Sequence, residues 1–130
     1  MADIKPHILV VDDEPSIAKI VKKQLEVAGY QVTVAVDGAA GLAAAKELRP
    51  NLIILDNMLP KMTGPEICTA LKQEESFKQT PILILSAKAQ RADEEQALSC
   101  GADAYVVKPF QLEDLLGRIR TLLERPAPGA

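Results

Sequence analysis

Short runs of apolar residues alternate with stretches of helical periodicity along almost the whole chain, and this alternation constrains the fold more than any other feature. Strands that alternate with helices favour a parallel, doubly wound sheet. Four of the runs are almost wholly apolar, as strands covered on both faces should be. The second run alternates instead, with Val32, Val34 and Val36 on its apolar side. The predicted strands are 8–11, 31–36, 52–55, 81–85 and 104–107.

Capping signals mark the ends of several predicted helices. Pro15 stands at the start of the first helix, and Gly29 provides its stop. Asp37 is the predicted cap of the second helix, and Thr63 with Glu66 forms a capping-box pattern before the third. The predicted helices are about 15–28, 38–48, 64–72, 92–100 and 112–123.

The composition limits the choice of partners and compartment. A chain of 130 residues with 48% hydrophobic residues fits one globular domain. Its net charge of −3 argues against direct binding of nucleic acid or an anionic membrane, and favours a protein partner or a cation. Cys68 and Cys100 lack the spacing of metal ligands, so we expect two buried thiols. No apolar run suits a secretory signal or a bilayer span, so we expect a cytoplasmic protein.

Polar side chains follow four of the predicted strands at the point where each strand ends. Asp12 and Asp13 follow the first strand and Asp56 follows the third. Ser86 follows the fourth and Lys108 the fifth. Taken singly, the acids can be helix caps or turn residues, the serine a turn residue and the lysine a solvated charge. In a doubly wound sheet, however, ligands bind outside the carboxyl ends of the strands, at a switch point in strand order.

Together these five residues predict a different site. Three carboxylates in one crevice repel each other and need a countercharge. Carboxylate oxygens with an open, hydrated position suit Mg²⁺, while the lysine adds a fixed positive charge and the serine a hydroxyl donor. The combination predicts a site that holds a metal ion and a phosphoryl group.

With these residues in this order, the chain resembles the receiver domain of two-component response regulators over about residues 6–124, with 125–130 as a tail or the start of a linker. The resemblance implies an α/β flavodoxin-like receiver fold, a five-stranded parallel sheet of order 2-1-3-4-5 with helices on both faces. The matching pieces are Ile-Leu-Val-Val-Asp-Asp-Glu-Pro (8–15), Leu-Asp-Asn-Met-Leu-Pro (55–60), Gly64, Leu-Ser-Ala (85–87), Gly-Ala-Asp (101–103), Tyr105 and Lys-Pro-Phe (108–110).

The resemblance also implies a phosphorylation-dependent signalling switch. Asp56 would accept a phosphoryl group from a sensor histidine kinase or a histidine phosphotransfer protein. Asp13, Asp56 and the backbone carbonyl of Met58 would bind Mg²⁺ directly, and Asp12 would act through water. Lys108 would pair with a phosphoryl oxygen. The domain would take part in its own phosphorylation and dephosphorylation without being a turnover enzyme.

The same resemblance implies how the signal leaves the site. Ser86 would move to donate a hydrogen bond to the phosphoryl group, and Tyr105 would then turn inward into the space behind it. This would change the surface formed by the fourth helix, fifth strand and fifth helix for a downstream protein or an attached output domain. The alternative for Tyr105 is a half-buried ring with a solvated hydroxyl. The Lys108–Pro109 bond is expected to be cis.

Some positions depart from the family pattern. Asn57 follows the predicted acceptor where an apolar residue is more usual, and Lys88 lies near the expected site entrance. Many transcription-factor receivers dimerise through salt bridges from a glutamate and an aspartate at the positions of Ser99 and Ala104. Asp103, Arg118 and Arg120 remain, so the sequence leaves open whether a phosphorylation-dependent homodimer forms.

Two other classes of protein fit the pattern less well. A phosphatase of the haloacid dehalogenase type would need an acid–base group at Met58, two positions after Asp56. A flavin-binding protein would need a phosphate-binding loop where the acidic run 12–14 stands. The sequence leaves open whether the chain is a stand-alone regulator or a piece of a larger one.

Overall fold

The computed structural model describes residues 5–59, 62–88 and 90–124. In these ranges five parallel strands form one sheet of order β2-β1-β3-β4-β5, which confirms the predicted fold. None of the described helices is long and apolar enough to cross a membrane. The strands are β1 (His7–Val11), β2 (Gln31–Ala35), β3 (Leu52–Asp56), β4 (Ile82–Ser86) and β5 (Ala104–Val107). The helices are α1 (Pro15–Val27), α2 (Gly38–Leu48), α3 (Gly64–Lys72), α4 (Arg91–Ser99) and α5 (Leu112–Glu124).

Helices cover both faces of the sheet, so the core has two layers. On one face α1 and α5 pack against β-strand side chains such as Ile8 and Ile54. On the other face α2, α3 and α4 pack against alternate residues such as Leu9 and Ile53. Every residue of β3 and β4 is buried, which explains why these strands read as continuous apolar runs.

The predicted capping residues do what their sequence context indicates. Asp37 accepts a hydrogen bond from the backbone N–H of Ala40 at 2.7 Å. Thr63 and Glu66 form both hydrogen bonds of a capping box at the start of α3. Gly29 ends the α1 region with a φ of 106°, a conformation that favours glycine. The Lys108–Pro109 peptide bond is cis, as expected.

Two local predictions were wrong, and one short element was missed. The second strand ends at Ala35, its last paired residue, and Val36 beyond it is 55% exposed instead of lying on the apolar face. A short 3₁₀-helix, Glu75–Phe77, was not predicted, and it buries the ring of Phe77. Cys68 is buried, but Cys100 is only partly so, and both are free thiols. Burial raises the pKa of the Cys68 thiol to about 12, which makes it unreactive.

Gly41 sets the distance between α2 and β1. A Cβ atom at Gly41 would lie 2.7 Å from both γ-carbons of Val11, so the helix packs where only a hydrogen atom fits. Gly117, in the interior of α5, has nothing within 4 Å of the same added atom. A Gly→Ala substitution therefore changes both helix propensity and packing at Gly41, but helix propensity alone at Gly117.

We predict that Gly41→Ala lowers the free energy of unfolding by about 1–2 kcal/mol, because overpacking outweighs the gain in helix propensity. Gly117→Ala, the matched control, should raise it by about 0.5–1 kcal/mol. Urea denaturation of the two variants measures both values. Equal changes of the same sign would show that α2 can move away from β1 at no cost.

Candidate functional site

The site begins at the carboxyl ends of β1 and β3, which are neighbours in the middle of the sheet. Val11 pairs with Leu55, so the residues that follow them, Asp12 and Asp56, emerge side by side. Together with Asp13 they form the acidic cluster, in which one carboxylate oxygen of each residue lies within 4.8 Å of the others. The order of winding reverses here, because the chain proceeds outward from β1 to β2 on one side and from β3 to β4 and β5 on the other, so this is the switch point.

Backbone hydrogen bonds fix the loops that carry the site. The N–H of Asp12 donates to the carbonyl of Ala35 at 3.0 Å, one residue beyond the end of β1. The N–H of Lys108 donates in the same way to the carbonyl of Ser86 at 2.7 Å. Because the ladder continues past the strand ends, the first residue of each loop is held as firmly as a strand residue.

Lys108 brings a positive charge to the acidic cluster. Its Nζ atom lies 3.2 Å from Oδ1 of Asp56 and 3.7 Å from Oδ2 of Asp12. The lysine side chain is 18% exposed, so these are largely desolvated ion pairs. One lysine contacts two of the three acids, and the cluster therefore keeps an excess of negative charge.

The electrostatics of Asp56 reflect this balance. Its pKa is raised above the ordinary value, first because burial penalises the carboxylate and then because Asp12 and Asp13 repel it. Lys108 opposes the shift through its charge and its hydrogen bond, without cancelling it. A second cation near the cluster would lower the free energy of the ionised form.

The acidic cluster suits a metal ion. All of its donors are hard carboxylate oxygens, Asp12 and Asp56 are buried, and Asp13 is exposed, which leaves an open side. Asp12 also accepts a hydrogen bond from the N–H of Glu14 at 2.9 Å, so its turn-forming role and its place in the cluster coexist. Met58 lies in the loop after β3 with its side chain 60% exposed.

Ser86 lies at the end of β4, next to the strand that ends in Asp56, and it is 1% exposed. Its Oγ accepts hydrogen bonds from the side-chain Nδ2 of Asn57 at 3.1 Å and from the backbone N–H of Lys88 at 3.0 Å. The sequence singles out Asn57 and Lys88 as departures but does not reveal that both contact Ser86. An amide in place of an apolar residue was the only signal.

Tyr105 already lies inward in this structure. The residue is 6% exposed, and its hydroxyl donates a hydrogen bond to the backbone carbonyl of Lys88 at 2.8 Å. The alternative of a half-buried ring with a solvated hydroxyl is therefore wrong. The ring is inside while Ser86 is held by Asn57 and Lys88, so the inward position does not require Ser86 to leave that place.

A doubly wound sheet of this order, with acids at the carboxyl ends of β1 and β3 and a lysine after β5, defines a receiver-type signalling domain. The chain belongs to the response regulator receiver domain family, whose model matches residues 8–120. Receiver domains are the phosphorylatable switch domains of two-component systems.

Curated relatives extend beyond the receiver. The chain is 47% identical over 120 residues to the DNA-binding dual master transcriptional regulator RpaA of Synechocystis sp., covering 92% of this chain and 50% of that protein. It is 41% identical over 125 residues to the DNA-binding response regulator MtrA of Mycolicibacterium smegmatis, covering 96% of this chain and 54% of that protein. The chain thus spans about half the length of these relatives.

Solved structures match over nearly their whole length. The chemotaxis response regulator CheY4 of Vibrio cholerae superposes with a TM-score of 0.87 at 36% identity, covering 92% of this chain and 99% of that one. The BeF3-activated DrrB receiver domain superposes with a TM-score of 0.85 at 33% identity, covering 94% of this chain and 100% of that one. These matches agree with the observed strand order.

The raised pKa of Asp56 predicts a stability effect. A carboxyl group whose pKa is higher in the folded state destabilises the fold as the pH rises through that pKa, and it costs nothing below the unfolded value. We therefore expect Asp56→Asn to raise the melting temperature at neutral pH in the presence of a chelator. The gain should fade as the pH falls toward 3.8, the ordinary aspartate value.

Thermal denaturation across this pH range tests the effect. Asp114→Asn, which removes an exposed acid at the start of α5, is the control for loss of a negative charge, and it should not raise the melting temperature. A lower melting temperature for Asp56→Asn at neutral pH would mean that the ion pair with Lys108 outweighs burial and repulsion.

Proposed function

We propose that residues 6–124 act as a receiver in which Asp56 accepts a phosphoryl group from a phosphohistidine of a sensor histidine kinase or a histidine phosphotransfer protein. The observation that carries this proposal is the position of Asp56. It lies at the switch point, beside two other acids, with the Nζ atom of Lys108 3.2 Å from its Oδ1. Since the phosphoryl group would stay on Asp56 of the domain itself, the domain would not be a turnover enzyme on an external substrate.

The transfer is a displacement at phosphorus. A carboxylate oxygen of Asp56 forms the new P–O bond while the P–N bond to the donor imidazole breaks, and its electron pair stays on the nitrogen. Catalysis of such a step consists mainly of positioning and of stabilising charge on the phosphoryl oxygens. The ammonium group of Lys108 has three donors, so it can bind a phosphoryl oxygen and keep its contact with Asp56.

The acidic cluster fits Mg²⁺. Asp13 and Asp56, with the backbone carbonyl of Met58, would hold the ion directly, and Asp12 would hold it through water. When bound, the ion neutralises negative charge on the carboxylates and on the transferring group. The donor set supports this choice, because all-oxygen sites with an open side suit Mg²⁺ better than softer metals.

The signal would leave the site through Ser86 and Tyr105. Ser86 would donate a hydrogen bond to the phosphoryl group, and Tyr105 would report the change on the surface of α4, β5 and α5. The backbone of Lys88 supports this proposal because its N–H contacts Ser86 and its carbonyl contacts Tyr105. Any movement of the Lys88 backbone would therefore change the hydrogen bonds of both side chains.

The output would be a partner protein or an attached domain. RpaA and MtrA are named as DNA-binding regulators, so an attached DNA-binding domain is the output that the relatives support. The receiver itself, with a net charge of −3, would act on that domain and would not bind DNA directly. Ser99 and Ala104 offer no acids for the usual dimer salt bridges, whereas Asp103, Arg118 and Arg120 remain, so a homodimer would form without that pair of acids.

Phosphorylation by a small donor tests the proposal. We expect the protein to gain one phosphoryl group on incubation with acetyl phosphate and Mg²⁺, as measured by intact mass. Asp56→Asn and chelator should each abolish the gain, because one removes the nucleophile and the other the countercharge. The exposed-site control Asp114→Asn should behave as wild type. Persistent modification of Asp56→Asn would assign the acceptor to another residue.

Lys108→Ala separates two roles of the lysine. We expect it to slow phosphorylation roughly 10- to 100-fold, since a preorganised positive donor is lost. The acid limb of the pH–rate profile should also move to higher pH, because Lys108 no longer lowers the pKa of Asp56. If the reaction slowed but the pH–rate profile did not move, Lys108 would act only by binding the phosphoryl oxygens and not by lowering the pKa of Asp56.

A further inference from the structure

Asn57 is held so that its side chain faces Ser86. Its backbone N–H donates to the carbonyl of Leu85 at 2.8 Å, and its carbonyl accepts from the N–H of Gly64 at 3.0 Å. A Cβ atom at Gly64 would lie 2.6 Å from the carbonyl oxygen of Asp56, so the loop is packed closely against α3. With both backbone groups fixed, the half-buried amide spans from β3 to β4 and donates to Ser86 Oγ at 3.1 Å.

The hydrogen bonds of Ser86 determine which way its proton can point. A hydroxyl group has one proton to donate and two lone pairs that accept. The Asn57 amide and the Lys88 backbone N–H are both donors, so together they occupy both acceptor positions. The hydroxyl proton is therefore left to donate elsewhere, in a side chain that is 1% exposed.

We propose that Asn57 is a positioning residue that fixes the Ser86 hydroxyl as a hydrogen-bond donor to a phosphoryl oxygen on Asp56. The inference rests on the proposed function, in which Asp56 carries that group. An apolar residue at position 57 would leave one lone pair of Ser86 free and its hydroxyl able to rotate. If the hydroxyl is fixed beforehand, binding of the phosphoryl group does not carry the entropic cost of ordering it.

Two substitutions at position 57 test the direction of the hydrogen bond. Asn57→Leu has similar size and no donor, whereas Asn57→Asp is nearly isosteric but accepts a hydrogen bond, so it would draw the Ser86 proton away from Asp56. Each is made with Ser86 present and in a Ser86→Ala background. The double-mutant comparison isolates what Asn57 does through Ser86 from the added charge of the aspartate.

The probe is beryllofluoride, BeF3⁻, a stable phosphoryl analogue, titrated in the presence of Mg²⁺. We expect Asn57→Leu to weaken its binding roughly three- to tenfold, the scale of one hydrogen bond, and Asn57→Asp to weaken it more. In the Ser86→Ala background Asn57→Leu should have no further effect. Unchanged binding by Asn57→Leu, or a loss that persists without the Ser86 hydroxyl, would overturn the inference.

A measurement on the wild-type protein makes the test independent of whether the variants fold. The side-chain NH₂ signals of Asn57 and the backbone N–H signal of Lys88 should keep hydrogen-bonded chemical shifts when BeF3⁻ binds. Loss of the Asn57 hydrogen bond would instead mean that the phosphoryl group competes with Asn57 for Ser86, and the inference would be wrong. Wild-type protein that neither binds BeF3⁻ nor accepts a phosphoryl group would overturn the proposed function itself, which is a separate result.

Discussion

Repulsion within the acidic cluster, opposed by Lys108, is the constraint on which the rest of the site depends. The parallel pairing of β1 with β3 brings Asp12 and Asp56 together, and burial raises the pKa of Asp56. Carboxylates on flexible loops would reduce their mutual repulsion by moving apart. Here the loops continue the hydrogen-bond ladder, and β3 is buried along its whole length, so the core of the sheet holds the charges in place. Binding of a ligand that neutralises the cluster is therefore favoured, because it relieves repulsion between carboxylates that the fold already holds together.

Local chemistry made most of the fold predictable. Asp37 and the Thr63 capping box act within three residues of sequence, and fully buried strands leave continuous apolar runs. Strand order could be inferred only from resemblance, because nothing local records which parallel strands are neighbours. Phe77 was missed since a single buried ring in a polar stretch has no periodicity. The Asn57 contact was missed because it joins residues 29 apart in the chain, whose meeting depends on the register of β3 with β4.

The backbone of Lys88 links Ser86 directly to Tyr105. Its N–H donates to Ser86 and its carbonyl accepts from Tyr105, so one peptide segment contacts both. A buried tyrosine hydroxyl needs a partner, and this carbonyl provides it. The inward ring is therefore stabilised by backbone near the site and not simply by space that Ser86 leaves. Substitution of the Lys88 side chain would preserve both contacts, since neither uses it.

Magnitudes limit what any one of these contacts can do. A shift from 1:99 to 99:1 in favour of the active form requires about 5.5 kcal/mol of differential stabilisation. The proposed hydrogen bond from Ser86 to a charged phosphoryl oxygen would contribute roughly 1.5–3 kcal/mol. Under the proposed function, the contacts of Lys108 and of the metal ion would therefore have to differ between the two forms as well, or the phosphorylated receiver would remain a mixture. A partner that binds only the active form would complete the shift, and by reciprocity it would also stabilise the phosphorylated state.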